Sequence, residues 1–405
     1  MGVGSKPRRT LTATGYYGFL LLGWDGVLLP SLIRSVEHDF RQGDPAFALL
    51  YLLTAVLYAM GAFTGGLLVQ RWGRRRILLS GAAIPAIALV IAALTPQWSV
   101  FLLAFTLGSW GTGVIDGGIN GLFLDLYSGA RGSALNLLHA CFAGGALIAP
   151  FLLGLLVSAG TGWRPLLLAT GAGFLLLAVA VALLPVPHGR HLREPDHPAE
   201  LDHPAEPDTV RTSDVRNRSL LPFFGLAVGI GFYTAAEIGV SSWLVRLLAA
   251  ESLVVATAVL SAFWTGLTAG RLLSGWLAEQ VEYSRFAAGA FLLASVSLAG
   301  AVLSPWLPLS IVLFTLTGMF YGPVFPTIVA LGGAIYPTRA TALSGGLTTA
   351  ASVGGIIYPP LMGLLAAGIG LRGGMLGAAL LGLPAAGALV AARALSRRPA
   401  PAQGT

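Results

Sequence analysis

The chain is a succession of long apolar runs separated by short polar breaks, and no other feature restricts its fold so strongly. A helix needs about 20 apolar residues to cross a ~30 Å hydrocarbon core. Divided at each charge or Pro/Gly cluster, the sequence yields twelve such runs, near residues 15–36, 46–70, 75–95, 98–126, 132–158, 163–184, 220–248, 253–279, 284–304, 307–335, 340–367 and 371–394. They are too long for barrel strands and do not alternate. Inside lipid each peptide group must be bonded within its own segment, so the expected fold is an all-α membrane protein. Composition agrees: 10% of the 405 residues are charged, 55% are hydrophobic, and mean hydropathy is +0.79. That excludes a disordered, fibrous or nucleic-acid-binding chain.

The net charge of +7 is therefore read as a topology signal. With the amino terminus inside, the basic clusters at residues 6–9, 71–76, 190–193, 211–218 and 397–398 all fall inside. Arg34, Arg41, Arg164, Arg246 and Arg372 remain outside. The positive-inside rule then places both termini in the cytoplasm of a multi-pass protein of the cell membrane. The first run is too long for a cleaved signal peptide and holds Asp25 near its middle, so it is expected to be the first membrane helix. The single Cys141 permits neither an internal disulfide nor a four-ligand zinc site. No cofactor or metal is expected. A Walker loop, a nucleophile elbow and a His-Glu-x-x-His helix are missing from the sequence, so neither direct use of ATP nor an enzyme is expected.

One inside loop stands apart. Residues 186–219 are rich in Pro, His, Asp, Glu and Arg and repeat Asp196-His197-Pro198-Ala199-Glu200 as Asp202-His203-Pro204-Ala205-Glu206. Its prolines prevent a regular helix, and a solvated linker is the expected reading. It separates a six-helix half, residues 1–185, from a second, residues 220–405. The halves resemble each other: Gly144-Gly145 followed by Pro150 recurs at the same spacing as Gly354-Gly355 followed by Pro360. Glycine pairs let helix backbones approach and a proline bends the helix, which serves either plain packing or spans that rock against neighbours. Parallel six-helix repeats point to a transporter.

Between the second and third runs stands Gly66-Leu67-Leu68-Val69-Gln70-Arg71-Trp72-Gly73-Arg74-Arg75, and at the matching place of the second half Gly275-Trp276-Leu277-Ala278-Glu279-Gln280, ending at Arg285. This resembles the loop signature of the major facilitator superfamily, with Gln70 where that family has aspartate. The resemblance covers the whole chain. It implies the major facilitator fold and a conformational latch made by Gly66, Arg71, Gly73, Arg74, Arg75, Glu279 and Arg285. Arginines there would meet helix-end carbonyls and carboxylates. The alternative is that they only fix topology.

A carboxylate at bilayer depth must be protonated, paired or hydrated, so each one is a functional candidate. Asp25, Asp116 and Glu237 fall within the first, fourth and seventh runs. The resemblance places those spans, with the tenth, around a central cavity. There the three acids would be proton-coupling residues, or else pairing partners for Arg34 or Arg246. Asp116 and Asn120 are four apart on one helix face, and Asn136 and His139 three apart on the next. With Trp24, Tyr233, Trp264 and Tyr321 nearby, and Asp25 and Glu237 as acceptors, these residues suit a polar, polyhydroxylated solute.

Asp25-Gly26-Val27-Leu28-Leu29-Pro30, Asp116 with Asn120, Leu135-Asn136-Leu137, Tyr233 to Glu237 and Phe325-Pro326-Thr327-Ile328 resemble the fucose permease and glucose/galactose branch. That branch implies proton- or sodium-coupled sugar import, with Asp116 as the proton carrier and Asp25 on the substrate side. Phe142 departs from it, standing where the fucose permease has a sugar-binding amide. The expected function is thus proton-coupled symport of a sugar or similar polar solute by a monomer in a lipid bilayer, with drug or metabolite efflux as the alternative.

Overall fold

The structure is a computed structural model that describes residues 5–127, 131–184, 186, 220–277, 281–336 and 340–396. The tandem His-Pro repeat and Glu279 lie outside the described residues. Thirteen helices and no strand are formed among them. In order they are α1 Ser5–Phe40, α2 Asp44–Trp72, α3 Arg74–Leu94, α4 Trp98–Leu126, α5 Arg131–Ser158, α6 Trp163–Leu183, α7 Leu221–Leu247, α8 Leu253–Leu277, α9 Tyr283–Leu303, α10 Leu307–Tyr321, α11 Val324–Ile335, α12 Ala340–Leu380 and α13 Gly382–Ser396.

Local chemistry sets the breaks. Gly73 alone separates α2 from α3 at φ 82°, a backbone region that favours glycine. Prolines enter the first turns of α2, α7 and α10, where no N–H bond is lost. The expected tenth span is interrupted at Gly322-Pro323, giving α10 and α11. Helix α12 is continuous until Gly370, whose φ of 70° and ψ of 163° are not helical.

Among the described residues eleven stretches are long and apolar enough to cross a membrane, against the twelve runs expected. The difference lies at the carboxyl end, where residues 343–396 form a single stretch of 54 residues. Large apolar side chains point away from the bundle, among them Leu103 (60% exposed), Val296 (71%) and Leu364 (59%). Such a belt suits lipid and not water. The chain is a multi-pass membrane protein.

Two sets of helices repeat one packing scheme. In the first, α1 packs on α5, α2 on α4, and α3 on α4 and α6. In the second, α7 packs on α12, α8 on α10, and α9 on α10 and α13. The glycine pairs sit at equivalent seams. A methyl on Gly145 would run into the Leu20 carbonyl of α1, and one on Gly354 into the Gly231 carbonyl of α7. The sets meet where α5 packs on α8, α2 on α12, and α1 on α7.

Candidate functional site

Two ends of the bundle are distinguished by their turns, the Gly43 end with the α1–α2 turn and the Gly73 end with the α2–α3 turn. Bonds that join the two helix sets gather at the Gly43 end. Arg34 of α1 donates to the carbonyls of Glu251 (2.8 Å) and Ala249 (3.1 Å). Arg246 of α7 stands 2.8 Å from Glu37 of α1 and 3.2 Å from Asp44 of α2. The Tyr51 hydroxyl of α2 donates to the Ser242 carbonyl of α7 at 2.9 Å, and its ring meets Trp243 edge-on. Deeper in, the Phe151 amide of α5 donates to Ser261 of α8 at 3.0 Å. Arg34 and Arg246 are thus engaged at this end, and the partner of Glu237 is a different arginine.

Polar contacts at the Gly73 end stay within one set. Arg74 is buried and pairs with Asp125 of α4, while Arg75 donates to the Ala182 carbonyl of α6. Arg285 stands 3.4 Å from Glu282, which also takes Arg393 at 2.8 Å. Gly66 lies within α2, and Arg71 in its last turn is exposed.

Between the ends, ionisable groups collect in two clusters, one in each set. In the first, Asp116 of α4 accepts from the Asn120 amide at 2.9 Å, the i, i+4 pairing that the spacing predicts. Tyr58 of α2 lies within electrostatic reach of both Asp116 and Asp25 of α1. Asp25 is half-buried, and among the described residues no hydrogen bond or ion pair reaches its carboxylate. Tyr58 therefore links the two acids.

In the second cluster, Glu237 of α7 is buried and its Oε1 stands 3.5 Å from Arg271 Nη2 of α8. Tyr233, one turn earlier on α7, faces both charges. Its ring packs edge-on against Tyr321 of α10 with centroids 5.8 Å apart. Both hydroxyls are buried without a hydrogen-bond partner among the described residues.

Other expected residues take various places. His139 of α5 is exposed, packs edge-on against Phe19 and lies within electrostatic reach of Arg271. Asn136, one turn earlier, is also exposed. Trp24 donates to Thr170 of α6 at 3.1 Å and so braces α1, while Trp264 donates to Ser241 of α7 at 3.1 Å. Phe142 and Trp264 touch across the α5–α8 seam with centroids 6.5 Å apart. No group of three His, Cys, Asp or Glu side chains is placed to hold a metal ion among the described residues.

Sequence reasoning missed Tyr58 and Arg271. Arg271 stands six residues before the end of α8, where a cation reads as an inside topology marker. Its side chain instead reaches back to Glu237. Tyr58 sits in an apolar run, where one aromatic gives no directional signal.

A family model described as Major Facilitator Superfamily matches residues 16–278 and again 248–405. The chain is 25% identical to the cis,cis-muconate transport protein of Acinetobacter baylyi over 93% of its own length and 92% of that protein. It is 28% identical to sodium-dependent glucose transporter 1A of Mus musculus over 34% of this chain and 32% of the other. Among solved structures, a bacterial homolog of the human lysosomal transporter Spinster, in an inward-facing and occupied conformation, matches with a TM-score of 0.79. The match has 18% identity and covers 98% of this chain and 100% of the other. A mutant of the nucleoside transporter NupG matches with a TM-score of 0.73 and 14% identity, over 95% of this chain and 99% of that one. At such identities these two structures speak for the fold alone.

Proposed function

Because the chain belongs to the Major Facilitator Superfamily, we propose that it is a secondary active transporter that moves a small polar solute together with protons by alternating access. The observation that carries the reading is the pair of acidic clusters, Asp25–Tyr58–Asp116 in one helix set and Glu237–Arg271 in the other. Carboxylates are expensive inside a span unless they exchange protons or find partners, and Asp25 has neither a bond nor a counter-ion among the described residues. Asp116 is the proton carrier, and Asp25 and Asn120 face the solute. A sugar is the solute class implied by the sequence patterns, and sodium is the alternative coupling ion.

Residues 343–396 are read as two crossings. A continuous helix of 54 residues would be about 80 Å long at 1.5 Å per residue, far beyond a ~30 Å core, and Gly370 supplies the break. The total is then twelve, in halves 1–185 and 220–405 around the loop 186–219, and the protein acts as a monomer. With the termini cytoplasmic, the Gly43 end is extracellular. Closed there by Arg34, Arg246 and Tyr51, the protein is inward-facing.

Reconstitution into vesicles tests the reading. Asp116→Asn abolishes uphill uptake driven by a pH gradient and leaves solute exchange measurable. Full accumulation by that variant removes Asp116 from the coupling role.

A further inference from the structure

Proton exchange at the carboxylates leaves one member of the second cluster unused, Arg271. Its Nη2 stands 3.5 Å from Glu237, well beyond the ~2.7–2.9 Å of a hydrogen-bonded guanidinium–carboxylate pair. The Arg271 side chain is 37% exposed and that of Glu237 only 7%. The cation is therefore open to an incoming group, while its carboxylate partner is walled in. A guanidinium presents five N–H donors in a planar fork, and one long ion pair leaves most of that fork unfilled.

Three further groups face the same place. The Tyr233 and Tyr321 hydroxyls are buried, lack hydrogen-bond partners among the described residues and lie near Glu237. His139 of α5, across the seam between the sets, lies within electrostatic reach of Arg271. A cation, an imidazole and two unfilled hydroxyls suit a planar two-oxygen anion, because the guanidinium fork matches a carboxylate in spacing and in charge. A neutral solute does not require that cation, and an organic cation would be repelled by it.

Resting on the transport reading above, we infer that Arg271 anchors a carboxylate group of the solute, with His139 closing on it from the opposite helix set, and that the solute displaces Glu237 from Arg271. The substrate is then a small organic carboxylate. Before binding, Arg271 and Glu237 carry +1 and −1. After binding, the solute supplies the −1 and Glu237 is neutral, so charge balances when one proton enters with each carboxylate. At this site an O–H bond forms at a Glu237 oxygen as an O–H bond of a hydronium ion on the water-filled side breaks, in addition to the proton exchange at Asp116.

The groups around Glu237 are few. Arg271 comes from α8, Tyr321 from α10 and Tyr233 from α7 itself, and Tyr358 of α12 stands beyond them, within reach of Tyr321. Helix α11 has no ionisable residue, Arg393 of α13 is held by Glu282, and on α1 Asp25 lies beside Tyr58 while Glu37 faces Arg246.

The test uses the full chain in proteoliposomes with D-glucuronate and cis,cis-muconate as carboxylate probes and D-glucose as the neutral probe. Wild type is expected to take up a carboxylate saturably and to accumulate it under an inward acid gradient. Arg271→Gln should lower that uptake at least about 30-fold, the effect of removing one partner of a desolvated charge pair. Arg271→Gln leaves Glu237 without a counter-ion, so the double variant Glu237→Gln/Arg271→Gln, which removes both charges, is measured beside it with thermal unfolding. It should remain folded and equally inactive toward the carboxylates. Glu237→Gln alone should reduce accumulation to equilibration while carboxylate exchange stays measurable, since an amide cannot take the proton.

Carboxylate uptake that survives both arginine variants overturns the anchor, and accumulation that survives Glu237→Gln overturns the displacement. Uptake of D-glucose alone, indifferent to Arg271, overturns the inference and leaves the transport reading standing. Movement of none of the three probes overturns both.

Discussion

Arg246→Ala should open the Gly43 end. The guanidinium lies between two carboxylates of the other helix set, 2.8 Å from Glu37 and 3.2 Å from Asp44. The three side chains are 28%, 20% and 21% exposed, between the surface case, worth about 0.2–1 kcal/mol per pair, and the buried case, where breaking a pair costs about 3–5 kcal/mol. Taking about 1 kcal/mol per carboxylate gives about 2 kcal/mol for the residue. At 1.4 kcal/mol per factor of ten, the ratio of open to closed populations should rise about 30-fold. Spin labels at exposed Ala159 and Ala250, one in each set, report the separation of this end in a Cys141→Ser background. The long-distance population should grow by about that factor, and Arg246→Lys, which keeps the charge and loses the fork, should fall between. An unchanged distance distribution in Arg246→Ala would refute the assignment of the latch. Equal shifts in the alanine and lysine variants would refute the charge-pair estimate, because they would mean that a cation without the guanidinium fork contributes nothing.

Three further outcomes can be measured. Gly145→Ala places a methyl against the Leu20 carbonyl and should cost about 1–3 kcal/mol, while Gly144→Ala, with open space at its Cβ, should be close to neutral; thermal unfolding of the two in detergent shows the contrast. Asp125→Ala leaves the buried Arg74 cation without its carboxylate and should cost about 2 kcal/mol, read by the same unfolding assay, with Asp125→Asn recovering part of the loss. Arg71, exposed at the Gly73 end, is available to bond when that end closes, so Arg71→Ala should enlarge the closed population reported by the Ala159–Ala250 labels, opposite in sign to Arg246→Ala.

What the sequence made legible is what depends on local chemistry. Run length and the scarcity of charge located the spans, because a bilayer tests each twenty-residue window separately. Gly73 as the break between α2 and α3, the bond from Asn120 to Asp116 and the seams at Gly145 and Gly354 are set by spacings of one to a few residues. Contacts between distant helices were not legible. Glu237 and Arg271 lie on different helices, and Arg271 meets Glu237 only because a long side chain runs back from near the end of α8. Arg34 and Arg246 looked like possible partners for a membrane acid. They turned instead to helix-end carbonyls and to Glu37 and Asp44, because α1, α2, α7 and α8 end together. The last two expected spans merged into one stretch because Arg372 alone interrupts the apolar run there and the helix continues through it, so that the backbone at Gly370 marks the join.

The repeated packing limits how strong the latch can be. The α1–α5 and α7–α12 seams are tight, with glycine against carbonyl, so under the proposed alternating access each set would move as a body. Motion is then confined to the α5–α8, α2–α12 and α1–α7 contacts, and the bonds at the Gly43 end are what a reversal must break. Arg246 supplies about 2 kcal/mol, and the two Arg34 bonds to carbonyls add about 1 kcal/mol each. A difference of about 4 kcal/mol left uncompensated would hold roughly 99.9% of molecules in one state. Binding energy from the solute reaches only the central clusters, so the remainder has to come from contacts formed when the Gly73 end closes. The exposed basic residues Arg71 and Arg76 stand where such contacts would form, beside the turn that is reduced to the single Gly73 between α2 and α3.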